Sequence, residues 1–495
     1  MDDAVKKALD KLLISSSSSD NSEYFPTISP LDGRYSKYTR KVSSLFSEFA
    51  LMKARLIVEI EYFIRLSKRF TTYKRGDVSF ECLPQFEKFP TETIHQLRLI
   101  YETFDMSDFN RIREIELKTN HDITALIQFI KESIEKYIPE LKPYIGFVHF
   151  GLTSQDINNT AYPLLLRHFI TEVYRSKLDK LLQFLNVFGS DHAHIPMLSR
   201  THGQPASPTT VGQQIFIFVS RINELVDKYL RKFKHTCKFG GATGQLNAHY
   251  CAYPNIDWDD TMDFFIKLTF DMHRQQFSVQ TENYDLMAML FNIISQINIV
   301  LLDLCKDMWQ YISYDYFKIE IVENETGSSA MPNKVNPIDF ENAEGNLGLA
   351  NSFFEFFAAK LPITRLQRDL SDSTVLRNMG VPLGHTMVAL NSIFNGFKKL
   401  NINMDAINKD LNDNWIVVSE GIQTVLRREG IDDAYNIIKA KTRVNHKITK
   451  NDMEKIIDEL PIADDIKKEL KLITPFTYIG RTKLPISLSS FFSLK

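Results

Sequence analysis

Long stretches of the chain run without glycine or proline while their apolar residues recur every three or four positions. Neither breaker occurs between residues 34 and 75, and there Phe49, Met52, Leu56, Ile60 and Phe63 follow one another at spacings of 3, 4, 4 and 3. Glu48, Arg55, Glu59 and Arg65 fall on other faces, so the pattern predicts an amphipathic helix whose charged side is turned from the core. Residues 255–326 form a second breaker-free stretch, and 161–190, 208–235, 260–275, 283–318 and 338–359 have the same long aliphatic character. Glycine or proline inside a helix costs roughly 1 to 3 kcal/mol, so their absence over such lengths is itself a helix signal. No series of alternating strands with hairpin signals is visible.

The breakers collect in a few polar loops: ISPLDGRY (28–35), GLTSQD (151–156), SRTHGQPASP (199–208), FGGATGQLNAH (239–249), TGSSAMPNKVNP (326–337) and RDLSDST (368–374). Binding and catalysis concentrate on loops held by a rigid scaffold. The expected architecture is all-α, without internal repeats. Its parts are a disordered leader over 1–23, which contains the serine run 15–19, an N-terminal helical domain over 24–145, a central bundle of very long helices over 146–397 and a C-terminal helical domain over 398–495. A helix of about 30 residues spans about 45 Å, more than one small domain covers. Assembly of the long helices with further copies of the chain is therefore expected.

Composition sharpens this picture. The chain has 495 residues and only 19 glycines, about 4% against a usual value of about 7%. Lys plus Arg number 59 and Asp plus Glu 61, which removes the basic footprint of a nucleic-acid-binding protein. Cys82, Cys237, Cys251 and Cys305 are scattered with no CxxC, so neither a disulfide framework nor a structural metal is indicated. The first twenty residues match neither a signal peptide nor a transit peptide. The stretches 286–302 and 378–397 lack Asp, Glu, Lys and Arg but carry several Asn, Ser or Gln residues, and they read as buried helices rather than membrane spans. A cytoplasmic protein without a membrane partner is expected.

Three loops offer chemistry. TGSSAMPNKVNP gathers hydroxyls, N–H groups, an amide and one lysine, a set suited to a carboxylate or a developing oxyanion; a surface turn is the plainer alternative. SRTHGQPASP presents His202, either a hydrogen-bonded structural imidazole or a general acid. GLTSQD places Thr153 and Ser154 after His149, and equally reads as a helix start capped by Asp156 or Ser154. FGGATGQ lacks the strand-turn-helix context of a dinucleotide fingerprint, and neither GxxxxGK nor GxSxG occurs. His192 and His194 have no acidic or cysteine partner at ligand spacing.

Together these loops carry a resemblance. GSSAMPNKVNP (327–337) resembles the GSSxMPxKxNP element of the fumarase, aspartase and argininosuccinate lyase superfamily, whose members eliminate fumarate from succinyl-type substrates. SPLDGRY (29–35), TNHD (119–122), LTSQDINN (152–159), SRTHGQPASPTTVG (199–212), QRDLSDSTVLRN (367–378) and TPFTYIGR (474–481) are similar to the adenylosuccinate lyases of the longer bacterial-type branch. The similarity runs from about residue 27 to about 483. Ala330 and Asn333 depart from the Thr and His usual there, and neither belongs to the catalytic set.

The resemblance implies a β-elimination with no cofactor and no metal, acting on a nucleotide. It makes Ser328 the general base, His202 the general acid and Lys334 a catalytic cation, with Asn336, Thr153 and Ser154 on the succinyl carboxylates. Arg34, Tyr35, Arg368, Ser373 and Arg377 match phosphate and ribose contacts. Asn120, His121, Asp122, Gln280, Ser329 and Asn342 match further substrate contacts, Val335, Thr374, Val375 and Leu376 lie within the same motifs, and His149 is supporting. In the family the site is built from three subunits of a homotetramer. A sister lyase such as an argininosuccinate lyase or aspartase is the competing enzyme, and a non-catalytic structural protein of the same fold, as among lens crystallins, the competing class.

Overall fold

The computed structural model describes residues 1–14, 27–74, 77–321, 330–331 and 333–481. Helices dominate, as the periodicity requires. In chain order they begin with α1 (Asp3–Ile14), α2 (Ser36–Phe46), α3 (Glu48–Leu66), a hairpin of β1 (Phe70–Lys74) and β2 (Asp77–Glu81), α4 (Thr91–Glu102), α5 (Met106–Thr119) and α6 (Asp122–Tyr137). Then come α7 (Ser154–His168), α8 (Arg175–Asp191), β3 (Pro196–Thr201), β4 (Gln204–Thr210), α9 (Val211–Leu225), β5 (Thr236–Cys237), α10 (Asn247–Ala252), α11 (Trp258–Phe270), β6 (His273–Arg274) and the 29-residue α12 (Asp285–Ser313). The chain continues through β7 (Phe317–Ile319), α13 (Ile338–Lys360), α14 (Ser371–Leu376), α15 (Gly380–Lys398), β8 (Leu400–Ile402), α16 (Met404–Asp413), α17 (Ser419–Arg428) and three short helices ending at Lys471. Among the described residues the strands form two-stranded pairs, β5 with β6 parallel and the rest antiparallel.

Two compact units emerge. The first comprises Met1–Lys177, Val226–Asn298 and Asn346–Asn391, and the second Leu178–Leu225, Ile299–Gly345 and Ser392–Lys495. Most of their boundaries fall inside or at the ends of long helices, which give residues to both units. The boundaries expected at 145/146 and 397/398 fall within the helical segments Pro139–Phe147 and Gly380–Lys398 rather than at loops. Helix α12 is long and apolar enough to cross a membrane, yet 67% of its apolar window is buried inside the structure.

The leader also departs from expectation. Residues 3–14 form α1, with Val5, Ala8, Leu9 and Leu12 at 0 to 3% exposure, packed on α2, α3 and α4. Their spacing puts an apolar stripe on one helix face, and this stripe outweighs the polar composition that pointed to disorder. The serine run 15–19 lies outside the described residues.

Helix α3 is the core element of the first unit. It is buried on every side, so Arg55 at 4% and Glu59 at 1% exposure are interior groups rather than the solvent face that the sequence pattern implied. Glu59 is paired with His149 Nδ1 at 2.5 Å. His149 adopts φ 65°, which turns the chain after α6 back toward α7. Tyr62, also on α3, donates to the Phe150 carbonyl at 2.9 Å and meets His249 Nε2 at 2.8 Å. Burial pushes the His249 imidazole down to about 4. Gly151 must be glycine: its φ is +68°, and a Cβ there would stand 2.5 Å from the His249 ring.

Two outcomes follow from this packing. Leu9→Ala removes a side chain at 0% exposure and is expected to lower unfolding stability by about 2 to 5 kcal/mol, read from the urea midpoint; a disordered leader would leave the midpoint unchanged. Burial lowers the His149 pKa, but the Glu59 carboxylate outweighs it and the net shift is upward. The stabilisation from this pair is complete below the unfolded-state value and is lost as pH rises through the raised folded-state value. Glu59→Gln is therefore expected to destabilise the protein more at pH 6 than at pH 9, with a gap of about 1.5 to 3 kcal/mol in parallel denaturation curves.

Candidate active site

In the first unit, the loop 151–156 is organised by one carboxylate. Asp156 has no exposed surface. Its Oδ2 accepts the Thr153 N–H at 2.7 Å, while Oδ1 accepts from Lys238 Nζ at 2.7 Å, Gly240 N at 2.8 Å and Gly241 N at 3.1 Å. Thr153, rather than Asp156 or Ser154, is the N-cap of α7, and Asp156 reaches back from the third helical position in a capping box. Thr153 and Ser154 are thus fixed at a helix N-terminus, where the unpaired N–H groups favour negative charge. Burial drives the Lys238 ammonium down in pKa, opposed by Asp156. The glycine-rich segment 239–244 is the backbone wall of this pair, a role its weak dinucleotide-like pattern did not suggest.

A second cluster centres on Asp122. Asn120, at φ 50°, ends α5, and the His121 ring accepts the Thr124 N–H at 3.2 Å, which starts α6. Asp122 then meets two guanidinium groups, Arg55 at 2.9 Å and Arg377 at 3.5 Å. Burial would raise the Asp122 carboxyl, but Arg55, the Ile123 N–H and Arg377 outweigh it and hold it below the usual range. The two arginines differ in exposure: the Arg55 side chain is 5% exposed and the Arg377 side chain 53%. Arg55 also donates from Nε to Asn158 at 2.8 Å, so it ties the TNHD motif to the LTSQDINN motif. These groups border a pocket of about 110 Å³ closed on its other sides by Phe46, Met52, Phe109 and Leu376.

Gln280 and Arg368 are in contact: Arg368 donates to Gln280 Oε1 at 2.9 Å, and the Gln280 amide donates to the Ala242 carbonyl at 3.0 Å. Next to them runs a buried chain of polar groups that sequence reasoning passed over. Asn159 Nδ2 donates to the Tyr284 hydroxyl at 2.6 Å, which donates to Asp372 at 2.8 Å. Glu282 accepts from Thr236, from Gln275 at 2.5 Å and from the Tyr284 N–H at 2.7 Å. Burial pushes its carboxyl up to about 7. Ser373 is half-buried and Thr374 exposed, whereas Val375 and Leu376 are core side chains, available to a ligand mainly through their backbone. Arg34 is exposed, and Tyr35 is half-buried at the start of α2, its N–H donating to the Pro30 carbonyl at 2.8 Å.

The second unit carries the other expected groups. SRTHGQPASP is not an open loop but the tip of the β3–β4 hairpin, with Thr201 opposite Gln204. His202 and Gly203 form its two-residue turn at φ 52° and 75°, the left-handed pair that a type I′ hairpin requires. A His-Gly dipeptide between short polar runs is the signal that could have revealed it. Arg200 on β3 pairs with Asp410 of α16 and lies over the Tyr314 ring at 4.9 Å. Ser207 on β4 donates to Glu420 of α17, which also accepts from Tyr478 at 3.0 Å. Both strands are therefore anchored, and the exposed His202 stands at a fixed tip. Lys334 and Val335 are exposed and Asn336 half-buried before α13, and Asn342 on α13 accepts from Ser392 at 2.9 Å. Ser328 and Ser329 lie outside the described residues.

Comparison with known proteins agrees with these motifs. The family model described as Lyase matches residues 33–350 and the one described as Adenylosuccinate lyase C-terminal matches 364–479. The adenylosuccinate lyase of Dictyostelium discoideum is 49% identical, over 92% of this chain and 96% of its own length. Those of Legionella pneumophila (strain Corby) and Escherichia coli (strain K12) are 42% and 38% identical over the same shares. Among solved structures, the 3-carboxy-cis,cis-muconate lactonizing enzyme of Pseudomonas putida covers 90% of this chain, and 96% of itself, with a TM-score of 0.69 at 17% identity, a likeness of fold. The chain is a carbon-nitrogen lyase enzyme and belongs to the adenylosuccinate lyase family.

Proposed function

We propose that the chain cleaves adenylosuccinate to AMP and fumarate, and cleaves the analogous succinyl-carboxamide ribotide of purine synthesis. The observation that carries this is the 49% identity with an adenylosuccinate lyase over 92% of the chain. The nucleotide-binding side supports it. Argininosuccinate and aspartate carry no phosphate, whereas Arg368 and Arg377 offer forked donors suited to one.

The reaction is a β-elimination. Ser328 takes the proton from the succinyl Cβ, and the electron pair left behind is delocalised into the adjacent carboxylate. That doubly charged aci-carboxylate needs preorganised donors, for which Lys334, Asn336 and the hydroxyls of Thr153 and Ser154 at the start of α7 are the proposed set. The C–N bond then breaks, its electrons going to nitrogen, and His202 supplies the proton that neutralises the leaving group. No cofactor is needed. Asn120, His121, Gln280, Ser329 and Asn342 complete the substrate contacts, with Arg34, Tyr35 and Ser373 on phosphate and ribose. Asp122 holds two cations of different standing: Arg55 stays with it in the interior, and the exposed Arg377 is free to exchange Asp122 for the substrate phosphate. His149, fixed by Glu59, supports the turn into Thr153. The assembly we propose is a cytoplasmic homotetramer in which three subunits contribute to each site, as the long apolar helices require partners.

Ser328→Ala and His202→Gln are each expected to lower kcat by about 10² to 10⁴, and for His202, which is exposed, the melting temperature is expected to stay within about 2 °C. Fumarate release is followed as the loss of adenylosuccinate absorbance. Near-normal turnover in Ser328→Ala would exclude it as the base, and a rate within about tenfold of wild type in His202→Gln would exclude it as the acid.

A further inference from the structure

The first unit contains another concave site, at the far end of α7. Arg167 stands 14 residues along that helix from Thr153, or about 20 Å at the helical rise. The cavity holds about 280 Å³, more than the pocket beside Asp122. Five cations line it, Arg167, Arg175, Arg231, Lys234 and Lys267, against one carboxylate, Asp271. Asp271 is already shared by Arg167 at 2.6 Å and Lys267 at 2.7 Å, and Arg231 pairs with Asp227 at 3.0 Å. Three charges remain in excess. Arg175 Nε is shut off from solvent and has no hydrogen-bond partner among the described residues.

Like charges gathered around a cavity repel one another, and the field they create draws in an anion. The neighbouring imidazole registers that field. His273, on the cavity wall, is lowered in pKa by burial and then by Lys267 and Lys234. His235, beside it, is pushed down to about 3 by burial and by Arg167. Two π-helical segments, Phe169–Tyr174 and Val226–Leu230, supply part of the wall through Ile170, Thr171 and Leu230. Such departures from α geometry are frequent at functional sites.

We infer that this cavity binds a phosphate-type oxyanion, either inorganic pyrophosphate or the phosphate of a small phosphate ester, at a site separate from the one proposed for catalysis. Guanidinium forks from Arg167 and Arg175 suit two oxygens each, and Ile170, Leu230 and Phe233 close the apolar side. The site has a route to the rest of the unit: three residues after His235 along the β5 segment, Lys238 holds Asp156.

The test is isothermal titration of the full-length protein with pyrophosphate and, separately, with ribose 5-phosphate, at ionic strength held constant with sodium chloride. Wild type is expected to show a binding class that weakens at least tenfold in the double variant Arg175→Met with Lys234→Met and persists in Arg368→Met, which removes a cation from the proposed catalytic cluster. Lys234→Glu alone, at an exposed position, gives the same loss without touching the interior. Preference for pyrophosphate identifies the free anion, and preference for ribose 5-phosphate identifies an ester; both uphold the site. Binding that is unchanged in the double variant and in Lys234→Glu, that disappears only in Arg368→Met, or that chloride at matched strength abolishes, would overturn it.

Discussion

The first unit depends on a charge pair that water does not reach. Asp156 and Lys238 have side chains with 0% exposure and meet at 2.7 Å. Removing either partner of such a pair strands the other in the interior, at a cost of about 3 to 5 kcal/mol. The geometry explains why the chain retains it. One carboxylate fixes the first turn of α7, the turn at Gly240 and Gly241 and, through them, the positions of Thr153 and Ser154. Four hydrogen bonds to Asp156 replace the water it loses, which is the condition for burying an ion at tolerable cost. Further along the same helix, Asn159 continues the restraint through Tyr284 to Asp372, so α7 anchors segments that follow it at a distance in sequence by polar bonds rather than by packing alone.

Fixed and exchangeable charges divide the groups around Asp122. Arg55, buried and bonded to both Asp122 and Asn158, has no freedom to move. Arg377, on the same carboxylate but half exposed, has that freedom. A site for a charged substrate needs both kinds: rigid groups that keep their orientation without reorganisation, and an arginine whose ion pair is loose enough to be traded for phosphate. In the second unit, His202 receives its rigidity differently, from a hairpin whose two strands are bound to Asp410 and Glu420.

Much of the helical fold was legible because period and breaker placement are local signals. The run Phe49 to Phe63 is helical, as its spacing predicts. That spacing could not show that Arg55 and Glu59 lie inside, because their partners Asn158, Asp122 and His149 are remote in sequence. The stripe Val5, Ala8, Leu9 and Leu12 was equally local, yet the adjoining serine run dominated the composition of the leader. The hairpin at His202 was missed because the strands are short and polar and the turn uses His rather than Asn before Gly. The motif residues Asp122, Arg377, Gln280 and Arg368 were singled out through resemblance, and the structure joins them in two bonded pairs. Lys238 and Tyr284 left no such mark, and Asp372, though inside the QRDLSDSTVLRN motif, was not singled out: each is recognisable only once folding supplies its buried partner.

Substrate identity is the claim on which the chemistry rests, and a parallel assay tests it most directly. Adenylosuccinate, argininosuccinate, aspartate and malate are each offered to the purified full-length protein and fumarate formation is measured. Sites built to bond a polar group discriminate against analogues lacking it by about 10⁴ or more, so turnover of adenylosuccinate with the other three at background is the predicted result. Comparable rates on argininosuccinate or aspartate, or no fumarate from adenylosuccinate, would contradict it.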